Sequence, residues 1–170
     1  MASPFELYLV RHAIAAERST HRAGDDTRPL TARGVVRFKK AVAGLAMLGA
    51  GIDEVFTSPL VRARQTAALL AAGLRGAPAV RVLDALAPGH APPAVVAQLA
   101  RAVRRRRRRI ALVGHEPGLG ELAAHLIGAG RPLPFRKGGI CRIDMESLTS
   151  RRPGVLAWFL PPKVLRGLGA

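Results

Sequence analysis

Leu7-Tyr8-Leu9-Val10-Arg11-His12-Ala13 is an apolar run that ends by delivering an arginine and a histidine side by side. Apart from Glu6, the stretch from Phe5 to Val10 is apolar on both faces of an extended chain, which predicts a first strand in the middle of a sheet. Far along the chain a second run, Ile110-Ala111-Leu112-Val113, ends in Gly114-His115-Glu116-Pro117. In open α/β sheets ligands sit beyond the carboxyl ends of the strands, so two strands that each release a histidine there point to one site.

Between and beyond these runs, helix and strand signals alternate. Thr31 is a candidate N-cap for a helix to about Leu48, with Val35, Phe38, Val42, Leu45 and Leu48 at helical spacing. Glu54 to Thr57 reads as a short strand. Ser58-Pro59 then reads as a cap followed by proline at the first helical position, opening a helix from Leu60 to Ala72. A weaker strand is expected over Val80 to Leu83, a helix from Ala94 to about Arg106, and a helix over Leu119 to Ile127. Ile140 to Met145 and Val155 to Leu160 read as a final antiparallel pair. The alternation predicts a three-layer α/β/α sandwich around a mostly parallel sheet, in one domain spanning 1–170.

Bulk properties narrow the function classes. With 49% hydrophobic residues in 170, the chain can bury a real core. It has no apolar stretch of about eighteen residues, and its first residues lack a basic region followed by an apolar one, which predicts a soluble cytoplasmic protein that does not enter a membrane. The one cysteine, Cys141, lies in an apolar run with no ligand at metal spacing and reads as a buried thiol. The net charge of +16 favours acidic partners or polyanions. Nucleic acid is not the expected partner, because no recognition motif is visible and only five Phe, one Tyr and one Trp are available for base stacking. The six arginines Arg104 to Arg109 precede the Ile110 strand whereas His115 follows it. They belong at the far end of the sheet from the site, as a solvated basic edge, some of them capping the preceding helix.

The residues at the near end suit phosphoryl transfer. Arg11 adjoins His12, Arg62 lies early in the helix after Ser58, and Arg28 ends the polar loop from Glu17. Guanidinium forks bind phosphoryl oxygens bidentately. A neutral imidazole held in one tautomer is a nucleophile, and a second histidine can donate to the charge that develops. Each part alone is also what a plain surface or turn would hold. Their common placement after strands gives them weight.

Three blocks, Leu9-Val10-Arg11-His12-Ala13, Ser58-Pro59-Leu60-Val61-Arg62-Ala63-Arg64-Gln65-Thr66-Ala67 and Val113-Gly114-His115-Glu116-Pro117, resemble in order the signatures of the histidine phosphatase superfamily, whose fold is phosphoglycerate-mutase-like. The short length and Arg28-Pro29-Leu30-Thr31 resemble its SixA-type branch, the phosphohistidine phosphatases. The resemblance implies that His12 is the nucleophile that becomes phosphorylated, that Arg11, Arg62 and His115 hold the phosphoryl oxygens, and that Arg28 lines the pocket. It implies no metal and no cofactor, and a substrate that is a phosphohistidine-bearing protein. A small phosphorylated molecule, or a phosphate-binding module without turnover, are the other readings. Ala13 stands where the superfamily often has glycine, which matters only if that residue needs positive φ. Larger relatives place an acidic residue after the third strand as general acid. Here Asp84 is the candidate, with Glu116 and His90 as further options, and a plain surface aspartate is its alternative reading. A missing acid would itself suit phosphohistidine, since imidazole, with a conjugate-acid pKa of about 6.5, leaves far more readily than an alkoxide.

Overall fold

Six strands and five helices alternate among the described residues, in the computed structural model that describes residues 5–19, 21, 23–104 and 106–170. The strands are β1 (Phe5–Arg11), β2 (Glu54–Thr57), β3 (Ala79–Val82), β4 (Arg109–Gly114), β5 (Ile140–Met145) and β6 (Val155–Leu160). The helices are α1 (Ala32–Met47), α2 (Val61–Gly73), α3 (Pro92–Ala102), α4 (Gly118–Ile127) and α5 (Pro162–Leu168). The strand order is β3-β2-β4-β1-β5-β6. Pairings among β3, β2, β4 and β1 are parallel, and β5 runs antiparallel to both its neighbours, so the sheet is mostly parallel as the alternation predicts.

The period of two along each central strand divides the core. Leu7 and Leu9 of β1, with Ile110 and Leu112 of β4, face one layer together with Leu99 of α3 and Leu119 and Leu122 of α4. Tyr8 and Val10, with Ala111 and Val113, face the other, against Phe38, Val42 and Leu45 of α1, Leu70 of α2 and Leu165 of α5. Each fully buried leucine, valine or isoleucine contributes roughly 1.5–3 kcal/mol, so these central strands anchor the molecule. Cys141 is buried among them, and its thiol is pushed up to about 12 by that burial.

Several boundaries differ from expectation, each for a physical reason. Ser58 does not cap α2. Its N–H donates to the Val113 carbonyl at 2.9 Å, which prolongs the β2–β4 ladder and moves the N-cap to Leu60. Helix α3 begins at Pro92, where a missing N–H costs nothing, and ends at Ala102 rather than Arg106. At its end the Ala102 carbonyl accepts from Arg81 Nη1 of β3 at 2.9 Å, and no described arginine of the run is bonded to that carbonyl. Arg108 and Arg109 instead donate their backbone N–H groups to Asp53, which also pairs with the Arg109 side chain at 2.9 Å. Arg105 lies outside the described residues. β3 lies at the sheet edge over Ala79–Val82, with all four residues exposed, one residue earlier than read. Helix α5 and the short 3-10 turns Asp25–Thr27 and Asp84–Leu86 were not predicted. No helix among the described residues is long and apolar enough to cross a membrane.

Candidate active site

Register explains why two distant histidines meet. β1 and β4 pair in parallel with Val10 opposite Val113 and Arg11 opposite Gly114, so the next residues, His12 and His115, leave the sheet side by side. The ladder runs one step further, His12 N–H donating to the Gly114 carbonyl at 3.0 Å. The two rings lie 5.1 Å apart, centre to centre. Both residues are almost fully buried.

The backbone around His12 sets its tautomer. Its Nδ1 is 2.7 Å from the Ala13 carbonyl oxygen, which can only accept, so Nδ1 carries the proton and the Nε2 lone pair is unclaimed. Ala13 has no positive φ, which removes the one objection to a methyl group there. Its own N–H donates to Thr66 Oγ1 at 3.0 Å. Burial pushes His12 down to about 4, and the positive charges of Arg62, Arg11 and Lys137 push the same way while the Ala13 bond opposes them. The ring is therefore neutral at pH 7.

His115 is held from the other side. Its Nε2 lies 2.8 Å from Ser58 Oγ. Leu60 N–H donates to the same oxygen at 3.3 Å, so Ser58 is itself held in place and fixes the orientation of the His115 ring. Burial, then His12 and Arg62, push His115 down to about 3. Its Nδ1 is buried and meets no hydrogen-bond partner among the described residues, and the same holds for Nε of Arg11 and Nε of Arg62. Native chains rarely leave buried polar atoms unmet, and two guanidinium donors beside a histidine pair call for an acceptor-rich ligand. A phosphoryl group has that chemistry.

The arginines are oriented by partners that sequence reasoning passed over. Arg11 Nη1 donates to the Phe135 carbonyl at 2.5 Å, and Glu116 accepts from the Phe135 N–H at 2.5 Å and the Gly120 N–H at 3.1 Å. Asp25 gathers the others. Arg62 Nη1 donates to its carbonyl oxygen at 2.7 Å and Nη2 to its carboxylate at 3.0 Å, while Arg28 Nε and Arg18 Nε reach the same carboxylate at 2.8 and 2.7 Å. Partial burial raises the Asp25 carboxyl, but Arg18, Arg62 and Arg28 outweigh it and hold it down at about 2. Arg28 also donates to the Ala16 carbonyl at 2.6 Å. It joins the cluster through Asp25. The available signal was an acidic pair, Asp25-Asp26, three residues before Arg28 in an arginine-bearing loop.

The three acid candidates sit in different settings. Asp84 is exposed in the first turn after β3. Both oxygens of Glu116 are committed to backbone amides. His90 is exposed and bonded to the Ala87 carbonyl at 3.1 Å. A cavity of about 370 Å³ opens beside His115, walled by Leu86, Pro88, Val95, Leu119 and Leu122 with Glu116 and His90 also at its lining.

Comparison with known proteins agrees with this geometry. The family model for the histidine phosphatase superfamily (branch 1) matches residues 7–88. An uncharacterised protein of Picosynechococcus sp. is 42% identical over 137 residues, 79% of this chain and 82% of its own. The fold matches a structure of the protein histidine phosphatase SixA complexed with tungstate, with a TM-score of 0.82 and 27% identity over 94% of this chain and 99% of that one. A protein of Agrobacterium tumefaciens assigned as a SixA phosphohistidine phosphatase shares the fold, with a TM-score of 0.77, 22% identity and coverage of 94% and 99%. The sheet and the paired histidines define a histidine phosphatase fold, and the chain belongs to the histidine phosphatase superfamily, in its SixA-type branch.

Proposed function

We propose that the protein is a phosphohistidine phosphatase that removes phosphoryl groups from histidine side chains of other proteins. The observation that carries this reading is the locked tautomer of His12, whose free Nε2 sits beside His115 and the unmet donors of Arg11 and Arg62. Nε2 attacks phosphorus, the substrate's N–P bond breaks, and the displaced imidazole takes its proton from solvent. Arg11, Arg62 and His115 stabilise the oxygens as charge builds on them. Water then cleaves the phosphoryl group from Nε2 and releases inorganic phosphate. The tungstate bound by the similar SixA structure is a tetrahedral oxyanion like phosphate, which supports the same use of this site.

The substrate follows from leaving-group chemistry. With Asp84 in solvent and Glu116 tied to two amides, the site favours a leaving group that departs without an enzymic acid. The apolar cavity beside His115 favours a second reading, a phosphatase of small organic phosphates with an apolar leaving group. One experiment separates them: dephosphorylation of a phosphohistidine protein beside p-nitrophenyl phosphate, with wild type and His12→Ala. Loss of protein phosphohistidine that vanishes in the variant is the expected result. Turnover of the ester alone supports the second reading, and no His12-dependent turnover of either leaves a phosphate-binding module.

A further inference from the structure

Next to the histidines, on the α1 and α5 side, stands a cluster of cations that no carboxylate among the described residues pairs with. Arg37 of α1, Lys137 of the loop before β5 and Arg166 of α5 line a dent whose other walls include Ala13 and Ile14, the two residues after His12. Arg33 lies one turn before Arg37 on the same helix face. None of the four pairs with a carboxylate among the described residues, although eight ion pairs occur elsewhere there. Burial, then repulsion from Arg37 and Arg33, lowers the Arg166 pKa from its usual value.

The cluster is built, not frayed. Gly138 N–H donates to the Arg11 and His12 carbonyls at 3.1 Å, which fixes Lys137 against the strand exit. Thr31 N–H donates to the Ile14 carbonyl at 3.0 Å, and a side chain at Gly34 would collide with that oxygen, so the amino end of α1, which carries Arg33 and Arg37, packs its backbone onto the same segment. The dent measures only about 20 Å³, a water's worth of room, so the cations serve a surface and not a small-molecule subsite.

We propose that Arg33, Arg37, Lys137 and Arg166 form the docking face for the phosphorylated protein, and that this face reads acidic side chains flanking the phosphohistidine. The proposal rests on the phosphohistidine reading above. Charge complementarity selects the occupant: four unpaired cations beside the nucleophile match carboxylates placed around the phosphorylated residue. No exposed aromatic ring accompanies them to stack a base, which counts against nucleic acid.

Two phosphohistidine peptides that differ only in flanking glutamates or glutamines provide the test, with N-phosphorylimidazole as the small donor. Wild type should hydrolyse the glutamate-flanked peptide with a kcat/KM about tenfold higher at low salt, a gap that closes as salt is raised. R37E/R166E should lose that preference through KM while turning over N-phosphorylimidazole unchanged. Arg33→Glu, at an exposed position, should reduce the preference without risk to folding. Equal use of both peptides by wild type, or a preference that survives R37E/R166E, overturns the docking face and leaves the phosphatase reading intact. No His12-dependent turnover of any of the three donors overturns both. Retention of duplex DNA by wild type but not R37E/R166E, without a flank preference, overturns it in favour of nucleic acid.

Discussion

A neutral imidazole carries its proton on either ring nitrogen, and at this site the neighbours decide which. The Ala13 carbonyl claims Nδ1 of His12 and leaves the Nε2 lone pair free, while Ser58 Oγ holds Nε2 of His115. Ser58→Ala removes the partner that orients the His115 ring. We expect kcat to fall between about tenfold and a hundredfold, with circular dichroism unchanged, because a misaligned donor costs that much in a pre-organised site. Unaltered kcat would mean that His115 is oriented by packing alone. The histidines and arginines of the site were legible because each sits in a dense local motif. Asp25 was not, because its role exists only once the chain has folded 37 residues back onto Arg62. Ser58 was read for the wrong job: a serine before proline is a strong capping signal, and nothing local reveals a histidine 57 residues away.

At the scale of elements, close approach matters more than propensity. The amino end of α1 reaches the segment behind His12 because residue 34 is glycine, where any Cβ would strike the Ile14 carbonyl. Gly34→Ala should therefore cost about 1–3 kcal/mol, read as a lower denaturant midpoint, and should reduce turnover as Ile14 shifts. Gly130→Ala, where a Cβ meets nothing within 4 Å, is the control and should be nearly neutral. Similar contact explains the missed α5, a seven-residue helix seated on Gly44 through the Leu165 carbonyl. Seven residues carry too little periodicity to announce a helix, and its stability comes from the Leu165 side chain buried against α1. The β2, β5 and β6 boundaries were readable to the residue, since apolar strands bounded by turn residues are strong local signals. Thr31 caps α1 and α4 ends at Ile127 as expected, but the end of α3 was not readable, because Arg81 from a distant strand takes the Ala102 carbonyl there.

For the molecule as a whole, the buried histidines tie stability to pH. Both are neutral when folded down to about 4 and 3, while in the unfolded chain each takes up a proton near 6.5. The unfolded state thus binds more protons below pH 6.5, so stability is full above that value. It falls as pH drops toward 4, by at most about 2.7 kcal/mol per pH unit for two protons. Asp25, held down at about 2, adds a loss of the same sign below its unfolded value of 3.8. Urea melts at pH 7.5, 6 and 5 check this, and a midpoint independent of pH would contradict it. The unmet guanidinium donors around His12 bear on what happens after the reaction as well. The groups that welcome the phosphoryl oxygens hold the departing orthophosphate just as well, since it offers the same acceptors. Such an enzyme is braked by its own product. Orthophosphate should inhibit competitively and raise the melting temperature, by the equivalent of about 2.7 kcal/mol at a hundred times its Kd. Turnover in a cell would then follow the local phosphate pool as much as the supply of substrate.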